Sequence, residues 1–151
     1  MKITPLQFPD VGSLYEFTLK DPLNQTAFVD LGILGDLEVT KLKVATNQDF
    51  ADYQKMIDSY AIRHILKGHG NPVTEARRGQ VAVTRSDFLL VDDILKDPDA
   101  IHSLGKNKIG REVIAFEKML DQFYTLVVEV RTKRKKLALD SLWIKKIKRA
   151  T

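Results

Sequence analysis

Hydrophobic and polar residues alternate through Tyr15-Glu16-Phe17-Thr18-Leu19, the pattern of a half-buried strand. Two more strands are predicted over Thr26 to Leu31 and Ile33 to Val44, broken by Gly32 and Gly35. Residues 1–45 therefore read as a β-rich N-terminal portion packed on a main domain of residues 46–151. Over 47–67 the period changes. Phe50, Tyr53, Ile57, Tyr60 and His64 recur at spacings of three and four, which sets them in one stripe of an amphipathic helix. That stripe puts His64 on the apolar face and predicts its partial burial. Gly68 and Gly70 end the helix and leave His69 in the exit loop.

Asn71 to Gly79 reads as a loop and Val81 to Val83 as a short apolar run. Ser86 can cap a second helix that continues through Leu95 and stops at Asp97-Pro98. His102, before Ser103 and Gly105, reads as a loop residue without a role. Residues 110–117 alternate as a strand. The clearest hairpin joins Phe123 to Arg131 with Leu137 to Lys145 through a basic turn at Lys133-Arg134. A two-residue turn there sets Tyr124, Leu126, Val128 and Val130 on one face with Leu137, Leu139, Ser141 and Trp143. The helix that carries His64 is expected to cover that same face.

Composition narrows the class. A chain of 151 residues suits one domain with a real hydrophobic core. It has no run of about 18 apolar residues, so no transmembrane helix is expected. Met1-Lys2-Ile3-Thr4-Pro5 lacks the apolar core of a signal peptide. The absence of cysteine removes disulfides and thiol metal sites and fits a cytoplasmic location. Three scattered histidines give no metal-ligand spacing, and no glycine-rich loop has a nucleotide-binding pattern, so neither metal nor cofactor is expected. The net charge of +4 is unevenly spread: Arg131 to Arg149 holds nine Lys/Arg and one acid, Asp140, for a net +8, and the rest of the chain is −4. A charge run by itself is ordinarily a solvated surface. A basic block on a slightly acidic domain also has the form of a phosphate-binding face.

The candidate chemistry lies at two places in the chain. Arg63-His64 and His69-Gly70-Asn71 bring two histidines within six positions, beside Lys67, and Ser141-Leu142-Trp143 ends the last strand. Metal-independent RNA cleavage needs a base for the 2′-OH, an acid for the 5′-oxygen, and cations or donors for the phosphate charge. Histidine suits either proton role, because its ordinary pKa is ~6.5. His64 and His69 divide those roles in this reading. Arg63, Lys67, Arg131 and Lys145 would bind phosphate, Ser141 would donate to a non-bridging oxygen, and Trp143 would stack on a base. Each residue also has a purely structural reading. His64 would be a satisfied core histidine, His69 a cation at a helix C-terminus, and Trp143 core. Glu129 and Arg131 would form a surface ion pair.

Arg63-His64-Ile65-Leu66-Lys67-Gly68-His69-Gly70-Asn71 resembles the His-Ile-x-x-x-His-Gly signature of phage-associated barnase/EndoU/colicin/RelE-like (BECR-like) nucleases. The stretch from Phe88 to Asp99 is similar to their short helix and Asp-Pro-Asp turn. Val113 to Lys118, Leu126 to Val130 and Leu137 to Ser141 resemble their three closing strands. The likeness spans about residues 58–146. Arg63-His64 and Ser141-Leu142-Trp143 also resemble the basic-His dipeptide and late Ser-x-Trp of colicin-type tRNases. The chain departs from the family in having Ser141 where threonine is usual, and Gly68 where a basic residue commonly precedes the second histidine. The resemblance implies an α+β fold, with helices packed on an antiparallel sheet that carries the RNA, here with the β-rich extension. It implies a metal-independent endoribonuclease, phage or mobile-element encoded and toxin-like, cutting tRNA or another structured RNA to 2′,3′-cyclic phosphate and 5′-OH ends. Implied partners are that RNA and an immunity protein or phage component, and no membrane. The implied location is the cytoplasm, or a virion or target cell for a delivered toxin. The other reading is a non-catalytic nucleic-acid-binding or phage structural module on the same fold. A nuclease needs His64 reachable by solvent, whereas a structural module can bury it.

Overall fold

A computed structural model describes residues 4–147. It opens with strand β1 (Leu6–Phe8) and helix α1 (Val11–Lys20). The alternation at Tyr15–Leu19, expected as a strand, lies inside that helix. The Asp10 carboxylate accepts from the Ser13 N–H at 2.7 Å, and Val11, Leu14, Tyr15 and Thr18 turn inward at helical spacing. A cap and a longer periodic window outweigh five alternating residues. β2 (Ala27–Ile33) follows. The strand expected from Ile33 to Val44 is mostly α2 (Asp36–Thr46), which starts where the Gly35 N–H donates to Glu38 at 3.1 Å and ends at left-handed Asn47. Asp36 and Glu38 in its first turn and Lys43 in its last suit the helix dipole. The portion expected to be β-rich thus carries α1 and α2 beside β1 and β2.

The helix expected over 47–67 is two elements, β3 (Gln54–Asp58) and α3 (Ser59–His69). The alternation of β3 is masked because an inward residue is Lys55, 1% exposed and held 2.9 Å from both Glu38 and Asp92. Asp58 ends the strand and caps the helix, accepting from the Ala61 N–H at 2.8 Å. The buried stripe of α3 is Ala61, Ile62 and Ile65, so His69 is the helix's last residue and His64 lies off the stripe. The expected loop after it holds α4 (Pro72–Arg77), capped by Asn71 with Pro72 in the first turn. Next come β4 (Gln80–Val81), α5 (Arg85–Phe88) and α6 (Val91–Lys96), two short helices in place of the one expected from Ser86. β5 (Ala100–Lys106) replaces the loop expected around His102. It escapes pattern reading because it is an exposed edge strand. β6 (Glu112–Met119), β7 (Phe123–Arg131) and β8 (Lys136–Lys145) complete the chain.

The strands form one sheet in the order β1-β2-β3-β8-β7-β6-β5, with β4 paired to the end of β8. β1–β2 and β3–β8 are parallel, and the remaining pairings are antiparallel. The fold is α+β. One face of the sheet buries Val29, Ile57, Ile114, Phe116, Leu126, Val128, Leu137 and Leu139 against Leu14, Leu42, Ile62, Ile65, Phe88 and Ile94 of the helices. The other face is more polar and carries Asp58, Glu117, Thr125, Glu129 and Ser141.

The last hairpin decides what reaches that polar face. Its turn is a short 3-10 segment, Thr132–Arg134, closed by left-handed Lys135. Arg131↔Lys136, Val130↔Leu137 and Val128↔Leu139 pair in the expected register. The register then slips, Val127 pairing with Ser141 and Leu126 with Leu142, so Asp140 is an extra bulged residue. A one-residue slip sends every later side chain to the opposite face. Leu142 and Ile144 therefore fill the core, and Ser141 and Trp143, expected there, stand on the polar face.

Candidate functional site

Glu129 anchors the polar face. It is 7% exposed, which corrects the expected surface ion pair. One carboxylate oxygen accepts from Arg111 at 2.7 Å and from Arg131 at 3.0 Å, and the other accepts from the Asn107 amide at 2.9 Å. Burial pushes its pKa up, but the hydrogen bonds from the two guanidiniums outweigh burial and hold the carboxyl below its ordinary value. Glu129 is therefore a fixed anion that orients two arginines. Arg131 also reaches Asp58 at 3.6 Å.

Asp140, one strand over, behaves oppositely. Burial pushes its carboxyl up, and the negative charges of Glu129 and Asp58 add to this, against the opposing pull of His64 and Arg131. The two carboxyls are thus shifted in opposite directions, Glu129 down and Asp140 up. Sequence reading missed Asp140 because nothing local announces a bulge without glycine.

His64 is exposed and stacks on Tyr60 one turn earlier, with ring centroids 5.9 Å apart and planes 6° from parallel. The expected burial is wrong, because the stripe that predicted it ran across the junction between β3 and α3. Helix α3 packs against β8, which brings His64 close enough for its charge to act on Asp140. Lys67 is exposed on the last turn of α3. Arg63 turns the other way, towards Ser59 Oγ at 3.4 Å, with Nη1 buried and without a hydrogen-bond partner among the described residues.

His69 is held differently. Its Nδ1 lies 3.0 Å from Glu75, which is 0% exposed and also accepts from Arg78 at 3.0 Å. With Nδ1 donating to this carboxylate, Nε2 is the ring nitrogen left to exchange a proton. The ring lies 5.9 Å from that of Trp143, centroid to centroid. Glu75 was hidden in an expected loop, although Asn71-Pro72 is a readable helix start. Lys145 is exposed at the end of β8 and pairs with Gln80 of β4. Lys148 and Arg149, in the expected basic block, lie outside the described residues. His102, expected to be idle in a loop, sits on β5 with Nε2 2.6 Å from Glu117.

Asp140 on β8 thus feels the charges of Glu129, His64 and Arg131 and is followed by Ser141, while His69 and Trp143 meet nearer the end of the strand. Arg63 is the expected phosphate ligand that turns away. Among the described residues no three His, Asp or Glu side chains converge as metal ligands, and no helix is long and apolar enough to cross a membrane. No curated protein and no solved structure matches the chain. A family model described as phage-Barnase-EndoU-ColicinE5/D-RelE like nuclease3 does match, over residues 32–151. That span includes α3, the Asp140 bulge and every residue of the site, and the chain belongs to this nuclease family.

Proposed function

We propose that the protein is an endoribonuclease that cleaves RNA by attack of the 2′-oxygen on the adjacent phosphorus. The observation that carries this reading is the solvent-reachable His64 on α3, which packs against the strand where the bulge turns Ser141 to the polar face. His64 takes the 2′-OH proton, the 2′-oxygen bonds to phosphorus, and the 5′-oxygen leaves with a proton. Asp140, whose pKa burial pushes up, or His69, held by Glu75, supplies that proton. Arg131 supplies a cation, and the Ser141 hydroxyl a donor, for the charge that develops on the non-bridging oxygens. Trp143 offers a stacking surface for a base, and Lys67 and Lys145 flank the path of the strand. The products are a 2′,3′-cyclic phosphate and a 5′-OH. tRNA or another structured RNA as substrate, a toxin role and an immunity partner belong to the same proposal.

The exposure of His64 favours this reading over a non-catalytic module, which has no need of a reachable histidine there. Purified protein incubated with total RNA and EDTA tests it. Cleavage should persist, and it should stop when the 2′-OH beside the cut is removed. Activity lost on chelation and restored by added metal would refute the mechanism.

A further inference from the structure

Beside Glu129 lies a cleft of ≈ 780 Å³ between the β5–β6 hairpin and the β7–β8 turn. Its lining includes Lys106, Arg111, Arg131, Lys133 and Arg134, opposed by one acid, Glu112. We propose that this cleft binds an internal phosphate of a single-stranded RNA, one that flanks the phosphate to be cut. This deepens the ribonuclease reading and rests on it.

Three observations carry the inference. The walls are braced from beneath. Arg111 and Asn107 of one hairpin and Arg131 of the other converge on the two oxygens of buried Glu129. The Asn107 side chain also accepts from the Ile109 and Arg111 N–H groups at 3.2 and 3.0 Å, which ties the hairpin tip to itself. The guanidiniums are therefore held before any ligand arrives, so less ordering entropy is lost on binding.

Second, the cations keep donors to offer. The Arg111 and Arg131 side chains remain 46% and 28% exposed while bound to Glu129, and Lys106, Lys133 and Arg134 are exposed. A planar guanidinium fork matches phosphate oxygens in pairs, and the cleft has the volume of a small-molecule pocket. Third, the cleft shares a residue with the candidate site. Arg131 lines it, is bound to Glu129 and reaches Asp58 at 3.6 Å. A phosphodiester chain lying along β8 past His64 and Ser141 runs into this cleft, where the contacts read backbone rather than sequence.

The test uses a short single-stranded deoxyoligonucleotide, which has no 2′-OH and so binds without being cut. Inorganic phosphate and a nucleoside 5′-monophosphate are parallel ligands. Amide resonances of residues 106–112 and 131–134 should shift with the oligonucleotide. Its affinity should exceed that of the other two ligands. The K133E/R134E variant should bind it about tenfold or more weakly, with a salt slope lower by about 0.7 per lost contact. K20E/K96E, an equal charge change on α1 and α6, neither of which lines the cleft, should alter affinity by less than about twofold, since distant exposed charges are screened. Equal losses in both double variants, shifts confined to other residues, or a monophosphate that binds as tightly as the oligonucleotide would each overturn the proposal. A protein that maps the oligonucleotide to this cleft yet cuts no RNA would refute the ribonuclease reading and leave the phosphate site standing. One that cuts RNA without using the cleft would do the reverse.

Discussion

Lys55 and Glu129 are both charged, both buried and both held by partners of opposite charge, but they stand on opposite faces of the sheet. Lys55 points into the core face, where Glu38 of α2 and Asp92 of α6 close over it among Leu42, Leu95, Phe116 and Val128. Glu129 points to the polar face, where its arginines remain partly open to solvent beside a cleft. Burial of a charge therefore does not mark a functional site in this molecule. The distinguishing feature is the direction in which the partners' remaining donors point. The Lys55 cluster fastens two helices to a strand, and the Glu129 cluster presents guanidinium edges to whatever enters.

The largest effect that would sharpen this contrast belongs to the polar face. His64→Ala should lower RNA cleavage roughly 10²–10⁴-fold, the usual range for a lost acid or base. Because His64 is exposed, the melting temperature should barely move, as exposed substitutions usually stay within about 0.5 kcal/mol. Rates and melting curves on the same preparation check both. A variant that melts early and keeps its rate per folded molecule would make His64 a structural residue.

On the core face the expectation reverses. Lys55→Ala leaves Glu38 and Asp92 without their shared cation and should destabilise by ~3–5 kcal/mol, the cost of breaking a buried pair. Lys55→Met, which keeps the stem and fills the space, should recover part of that loss. In both variants cleavage per folded molecule should stay near wild type. Denaturant unfolding gives the stability. A cleavage rate that falls further than the folded fraction would show that the two faces are coupled.

These two residues also mark how far the sequence was legible. The β7–β8 hairpin was readable through Val128↔Leu139, because alternation and a basic turn agree there. Beyond that pair the reading failed at one residue. The Asp140 bulge shifts the register without a glycine to announce it, and so Ser141 and Trp143 were assigned to the wrong face. Lys55 had a related effect in β3, where a charge on the core face hid a strand and let a helical stripe run through from Phe50 to His64. Readable signals were present at Asp58 and Asn71, both helix caps. His64, His69, Ser141 and Arg131 are candidates that the family signature and the basic block single out. Alternation alone makes Glu129 a surface residue, whereas it is 7% exposed. Asp140 depends on contacts between elements far apart in sequence, which no local pattern carries, whereas Glu75, three and six positions from its partners Arg78 and His69, is hidden by the loop expected there.

A smaller effect separates the two carboxyls of the polar face by sign. The folded state raises the Asp140 pKa through burial and the charge of Glu129. Its contribution to stability is thus present below its unfolded pKa and lost as the pH rises through its folded pKa. Asp140→Asn carries no charge at any pH and should be more stable than wild type at neutral pH, with the advantage shrinking in acid. If Asp140 handles a proton, the same variant should be slower. Glu129 is buried too, but Arg111 and Arg131 hold its pKa down, so its contribution is present above its unfolded pKa and lost as the pH falls through its folded pKa. Glu129→Gln should therefore be less stable at neutral pH, and the deficit should close in acid. Unfolding measured across pH for both variants reads the two slopes. Slopes of the same sign would mean that the two carboxyls share one environment, and the division of roles between them would fail.

The smallest expected effect lies at the far end of β8. Lys145 and Lys146 are exposed, and the Lys146 N–H donates to the Gly79 carbonyl at 2.9 Å, which holds the backbone there against the end of α4. Their side chains are thus free to meet phosphate while the chain beneath them is fixed. Changing both to glutamine keeps length and solubility and removes only charge. If each contacts a backbone phosphate, the slope of log K against log salt should fall by about 0.7 per lost contact on single-stranded RNA. The loss should be similar for RNAs of different sequence, because phosphate contacts carry no base information. It should also be smaller than the loss from K133E/R134E, since Lys145 and Lys146 do not line the cleft that Arg111 and Arg131 brace. Binding titrations at several salt concentrations decide the matter. An unchanged slope would mark this end as a solvated surface and leave the polar face around Arg131 as the main electrostatic contact with the strand.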